Sequence, residues 1–102
     1  MIRSLVLVLA VALTDPLPAL APIDCSRAKT NSELLLCSNS RLAAADQRLA
    51  HAFREAIQRG VKPEVLLESQ RSWIHEVRDL CNEVECMLKA YEERTSELQE
   101  LR

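Results

Sequence analysis

Glycine is almost absent: Gly60 is the single one in 102 residues, and the aromatics are one Phe, one Trp and one Tyr. So little glycine excludes a glycine-rich phosphate loop or a nucleophile elbow, whose backbones depend on it. Aromatic and β-branched residues are sparse, which disfavours sheet and leaves helix nearly throughout. Histidine is scarce as well, at His51 and His75. The run His75-Glu76-Val77-Arg78-Asp79 starts like the zinc motif H-E-x-x-H, but Asp79 stands in the second histidine's place. No third ligand suggests itself, so the run reads as an exposed helix segment. No Ser-His-Asp arrangement is found either. These absences point away from an enzyme and call for no cofactor and no metal.

A membrane-spanning run is also missing. Ser4 to Leu13 is apolar, about half of the roughly 20 residues that a span requires. It follows the positive start Met1-Ile2-Arg3 and is broken by Thr14-Asp15-Pro16-Leu17-Pro18. Ala19-Leu20-Ala21 then offers a peptidase-type site. This is the organisation of a secretory signal peptide, residues 1–21, rather than of a retained anchor. Pro22 is a poor residue directly after a cleavage site, so the exact cut stays open. The expected product is a periplasmic or secreted domain, residues 22–102, with no membrane span left after cleavage.

Roughly eighty residues bury too little surface to be secure on hydrophobic burial alone. The four cysteines, Cys25, Cys37, Cys81 and Cys86, therefore read as two disulfides in an exported domain. Three pairings exist, and the favoured one joins sequence neighbours, Cys25 with Cys37 and Cys81 with Cys86. Five residues of unbroken helix advance about 7.5 Å, whereas bonded cysteines sit roughly 4.4–6.8 Å apart at Cα. A Cys81–Cys86 bond therefore demands a corner between them. The rival is a zinc site, disfavoured by the compartment and by the lack of any C-x-x-C. With all four cysteines bonded, no reactive thiol remains.

The net charge is −2, and Arg3 and Asp15 cancel within the leader. No basic stripe is present to hold nucleic acid. The acidity is uneven, with Glu83, Glu85, Glu92, Glu93, Glu97 and Glu100 set against Lys89, Arg94 and Arg102. Such a run is ordinarily a solvated helix face. Its functional rival is a surface that steers a cationic partner, carried by Glu93, Glu97 and Glu100.

Four helices are expected. Thr30-Asn31-Ser32-Glu33 is a capping box opening a short helix through Leu34-Leu35-Leu36-Cys37, which ends at Ser38-Asn39-Ser40. A second helix runs from about Arg41 to Arg59 on the stripe Leu42, Ala45, Leu49, Phe53, Ala56 and Ile57, with Gly60 as its stop. Pro63 suits the first turn of a third, whose stripe is Val65, Leu66, Ser69, Trp73, Val77 and Leu80. Trp73, Val77 and Leu80 would share one face. A fourth carries Val84, Met87, Leu88, Tyr91, Leu98 and Leu101. Asp46, Gln70 and Arg94 fall inside these stripes. A carboxylate buried alone would cost several kcal/mol, so Asp46 is expected to pair with Arg94 or Arg78 across the bundle. A buried polar clasp outranks a ligand site as the reading of these residues.

Two strings carry a resemblance. The first is Asp24-Cys25, Glu33, Leu36-Cys37, Leu42, Asp46 and Leu49. The second is Gln70-x-x-Trp73, Arg78-Asp79-x-Cys81, Cys86 and Tyr91-x-x-Arg94-x-x-x-Leu98. Together, from Asp24 to Leu101, the chain resembles the LprI-type lysozyme-inhibitor domain. Phe53 departs from the tyrosine more usual there, at the loss of a hydroxyl. The resemblance implies an exported bacterial domain and, in some members, inhibition of lysozyme. It supplies framework positions rather than contact residues. The combined expectation is an all-α, disulfide-stapled bundle of three main helices plus a short N-terminal one, stapled at both ends. Its leading role is to bind and occlude a cationic, lysozyme-like hydrolase. The runner-up is a structural or interaction module for envelope stress or effector neutralisation, without lysozyme contact.

Overall fold

The computed structural model describes residues 23–102, and the expected signal peptide lies outside them. A 3-10 turn at Cys25–Arg27 leads to α1 (Asn31–Ser38), α2 (Ser40–Gln58), α3 (Pro63–Glu76), a second 3-10 turn at Arg78–Leu80, and α4 (Val84–Glu100). Among the described residues there is no strand.

Local chemistry fixes each boundary. Thr30 Oγ1 accepts from the Glu33 amide, while Glu33 accepts from the Thr30 and Lys29 amides, so the capping box forms as expected. Those two amide donors hold the Glu33 carboxyl below its ordinary pKa, the Lys29 bond contributing most. Asn39 breaks the chain between α1 and α2, and its side chain accepts from the Arg41 and Leu42 amides. The other end of α2 is closed by a Schellman motif. The Val61 amide reaches the Ala56 carbonyl at 3.1 Å and the Gly60 amide reaches that of Ile57 at 3.0 Å. Gly60 has φ +107°, a conformation that costs a residue with a Cβ. Pro63 occupies the first turn of α3, where its missing amide hydrogen is not needed.

Direction follows from pairs at the helix ends. Arg41 near the start of α2 meets Glu85 near the start of α4 at 2.8 Å. Arg59, just past the end of α2, donates to the carbonyls of Leu98 at 2.6 Å and Leu101 at 3.0 Å. Helices α2 and α4 are therefore parallel and pack most extensively against each other. Helix α3 runs back between their ends, since Gln70 faces Arg94 and Trp73 faces Tyr91. The result is an up-down-up bundle whose core is Leu36, Leu42, Ala45, Leu49, Phe53, Ala56, Leu66, Trp73, Met87, Tyr91 and Leu98.

Both disulfides form in the favoured pairing, Cys25–Cys37 and Cys81–Cys86, with Cα separations of 5.7 and 5.6 Å. No cysteine among the described residues is free. The staples, however, are not at opposite ends. Cys37 lies just before α2 and Cys81–Cys86 brackets the start of α4, and those two helices begin at the same pole. Distance in sequence had suggested distance in space; a parallel α2–α4 pair brings the two together.

The α3 stripe needs a second correction. The helix ends at Glu76, before the disulfide corner, and Val77 leaves helical geometry with φ −125° and ψ −64°. Trp73 stays in the core, but Val77 and Leu80 are exposed, as is Val65 near the start of the helix. A helical repeat does not extend past the point where the helix has stopped.

Candidate functional site

The polar side chains that fall inside the apolar stripes are buried, and the structure sorts them into two clusters. In the first, Asp46 of α2 accepts from the Tyr91 hydroxyl at 3.0 Å and from the Ile23 amide at 2.7 Å. The two donors use different carboxylate oxygens, an arrangement that suits the ionised form. Burial pushes the Asp46 carboxyl upward, opposed by the Ile23 and Tyr91 bonds and by the field of Arg78. Burial, followed by the Asp46 charge, pushes the Tyr91 phenol upward as well. Tyr91 remains a donor at any ordinary pH.

Arg78 lies beside this pair and extends it toward α1. Its Nε donates to Asp79 Oδ1 at 3.0 Å, and its Nη2 approaches Glu33 at 3.9 Å. The same Asp79 oxygen accepts from the Ser32 hydroxyl at 2.6 Å. Ser32 is fully buried. The cap of α1 and the turn after α3 are thereby locked to each other.

Arg94 does not belong to this group. Its Nε donates to Gln70 Oε1 at 2.9 Å, its Nη2 to Ser69 at 2.8 Å, and its Nη1 to Glu97 at 3.3 Å. The expected Asp46–Arg94 pair is replaced by Asp46–Tyr91, with Arg78 as the nearby cation, and by Gln70–Arg94. A charged hydrogen bond to a neutral amide satisfies Arg94 without a second buried charge. Trp73 packs edge-on against Tyr91, ring centroids 5.1 Å apart at 84°.

These contacts connect helices to one another. Among the described residues no three His, Cys, Asp or Glu side chains stand together as metal ligands. No helix is long and apolar enough to cross a membrane among those residues. A shallow groove of about 170 Å³ lies between α2 and α4, lined by Ala45, Arg48, Tyr91, Glu92, Thr95 and Ser96. On the solvent side of α4, Glu93, Glu97 and Glu100 are exposed. Glu93 and Glu100 lie clear of the clusters, whereas Glu97 is tied to Arg94.

The chain matches the family described as lysozyme inhibitor LprI over residues 24–98. It belongs to the LprI family. Comparison with curated proteins and with solved structures returned no match. Within this LprI domain the two strings that carried the resemblance supply the two disulfides and many of the buried residues. Cys25, Cys37, Cys81 and Cys86 are the staples. Asp46, Arg78 and Tyr91 build one cluster, Gln70 and Arg94 the other, and Trp73 packs on Tyr91. Sequence reasoning missed Ser32, Ser69 and the Ile23 amide as partners. Ser32 lay inside the Thr30–Glu33 capping box, where a serine needs no further explanation. The Ile23 amide had no signal, because a backbone donor leaves none in the sequence.

Proposed function

We propose that this LprI domain is an exported inhibitor that binds a lysozyme-type hydrolase and occludes its cleft. The observation that carries the reading is the family match across residues 24–98. The architecture supports it. A bundle with two disulfides and paired buried polar groups offers a stiff surface, and stiffness reduces the ordering cost of binding. Export through residues 1–21 to the periplasm or beyond belongs to the same proposal, and two disulfides suit such an oxidising compartment. So does a non-catalytic role, because the residues that could do chemistry are engaged in holding helices together. The acidic face of α4 would favour encounter with a cationic enzyme.

The test is the rate of cell-wall lysis by c-type and g-type lysozymes, measured with and without the purified protein. Dose-dependent, saturable loss of lysis is expected. No effect on any of them would overturn the reading and favour the interaction module of the bacterial envelope.

A further inference from the structure

The two poles of the bundle are built differently. At the pole where α2 and α4 begin, two disulfides and the Ser32–Asp79 bond hold α1, the Arg78–Leu80 turn and the start of α4. At the other pole the chain is held by the Gly60 cap and by Arg59 on the last carbonyls of α4. Five large hydrophobic side chains are exposed among the described residues, and three belong to the stapled pole: Leu34 at 52 %, Val77 at 41 % and Leu80 at 71 %.

Leu80 is the most exposed of them, and the backbone around it is held on both sides. Its amide donates to the Val77 carbonyl at 3.3 Å, closing the 3-10 turn. Val77, which caps this turn, is exposed as well. Arg78 and Asp79 between them are tied to Glu33 and Ser32, and Cys81 after them is buried and bonded to Cys86. An apolar side chain held out in water by this much fixed structure contributes little burial to the fold. It gains a great deal for binding, because little freedom is left to lose. Interface anchors are most often aromatic or arginine. Here Phe53, Trp73 and Tyr91 are all buried, so an apolar anchor has to be aliphatic. The exposed charged residues between Val77 and Cys86 are Glu83 and Glu85, and Glu85 is paired with the exposed Arg41 at 2.8 Å. An apolar tip with the exposed Glu83 carboxylate nearby fits a surface that offers an apolar recess beside a cation.

We infer that the stapled pole is the surface this protein presents to its target, with Leu80 as the anchor that enters a lysozyme-type cleft and Val77 beside it. The inference rests on the inhibitor reading and adds to it which end of the molecule does the binding.

The experiment compares the parent, Leu80→Ser and the control Val65→Ser in inhibition and dissociation rate against a lysozyme that the parent inhibits. Val65 is a similarly exposed apolar residue near the far end of α3. Thermal unfolding and light scattering are recorded for all three. The expected result is that Leu80→Ser inhibits at least about tenfold more weakly through faster dissociation, with unchanged unfolding and mass. Val65→Ser should match the parent. Parental inhibition by Leu80→Ser would overturn this inference and leave the inhibitor reading standing. A parent that dimerises through Leu80, with inhibition indifferent to the substitution, would assign the turn to a second copy and overturn it too. Absence of inhibition by the parent against every lysozyme would remove both.

Discussion

The Tyr91 hydroxyl donates to Asp46 Oδ1 at 3.0 Å while the same ring meets the edge of Trp73. One side chain thus joins α2 to α4 by a hydrogen bond and α4 to α3 by packing. Tyr91→Phe keeps the ring and removes the bond, leaving a buried carboxylate oxygen without that donor. It should lower stability by about 1–3 kcal/mol in chemical denaturation. Trp73→Ala removes the packing partner and should cost about 3–5 kcal/mol. An unchanged unfolding midpoint for Trp73→Ala would contradict its core position.

The separation of the two polar clusters is tested by comparing double-mutant cycles. Gln70→Ala with Arg94→Ala should show a coupling of about 0.5–3 kcal/mol, because the two groups share a buried bond. Asp46→Ala with Arg94→Ala should show distinctly less, since the two have no bonding partner in common. Equal couplings would mean that Asp46 and Arg94 act as a pair after all.

The helices, the capping box and the cysteine pairing were legible because each is written locally. Thr30 and Glu33 are three residues apart, Gly60 follows directly on α2, and each disulfide closes a short loop. Burial of Asp46, Gln70 and Arg94 was also legible, from their places in apolar stripes. Their partners were not. A stripe says that Asp46 faces inward, but the donor it meets depends on the side-by-side register of parallel α2 and α4. Of the two arginines expected, Arg94 bonds Gln70 and Arg78 acts on Asp46 through its field, while a hydroxyl and a backbone amide make the direct bonds. The exposure of Leu80 was hidden for a related reason, since its spacing from Trp73 is helical only if the helix continues past Val77.

Removing a staple should be costly in proportion to the loop it closes. Cys25 and Cys37 are 12 residues apart and Cys81 and Cys86 are 5 apart. By chain-entropy reasoning the first contributes about 3 kcal/mol and the second about 2 kcal/mol. Cys25→Ser with Cys37→Ser should therefore lower the unfolding temperature more than Cys81→Ser with Cys86→Ser. Peptide mapping without reductant should recover each pair as one cross-linked fragment, and a crossed pair would contradict the fold.

Two carboxylates give opposing pH dependences. Glu33 has a lowered pKa in the folded state, so it adds stability above its unfolded value that is lost as pH falls through the folded one. Asp46 has a raised pKa, so its contribution is greatest below the unfolded value and fades as pH rises through the folded one. Glu33→Gln should remove the first effect, leaving a protein that loses less stability on acidification than the parent. Asp46→Asn should remove the second, leaving one that loses stability more steeply in acid. Urea midpoints between pH 3 and 6 separate the two, and parallel pH profiles for both variants would refute the assignment.

The acidic face of α4 makes a kinetic prediction. Glu92, Glu93 and Glu100 are exposed, and exposed charges act over about 8 Å at physiological ionic strength. Their contribution to binding a cationic hydrolase should therefore be to the association rate, and it should fade as salt rises. Glu97 is the wrong residue to reverse, because a lysine there would sit against Arg94, whose Nη1 bonds Glu97 at 3.3 Å, and would disturb the Gln70 cluster. Reversing Glu92, Glu93 and Glu100 to lysine keeps that cluster intact and should leave thermal unfolding within about 0.5 kcal/mol of the parent's stability. Against an inhibited lysozyme, the triple variant should associate at least about tenfold more slowly at low salt, with the difference shrinking at moderate salt. Its dissociation rate should stay near the parent's, unlike that of Leu80→Ser. Equal association rates at low salt would remove α4 from the encounter and leave the stapled pole to act alone.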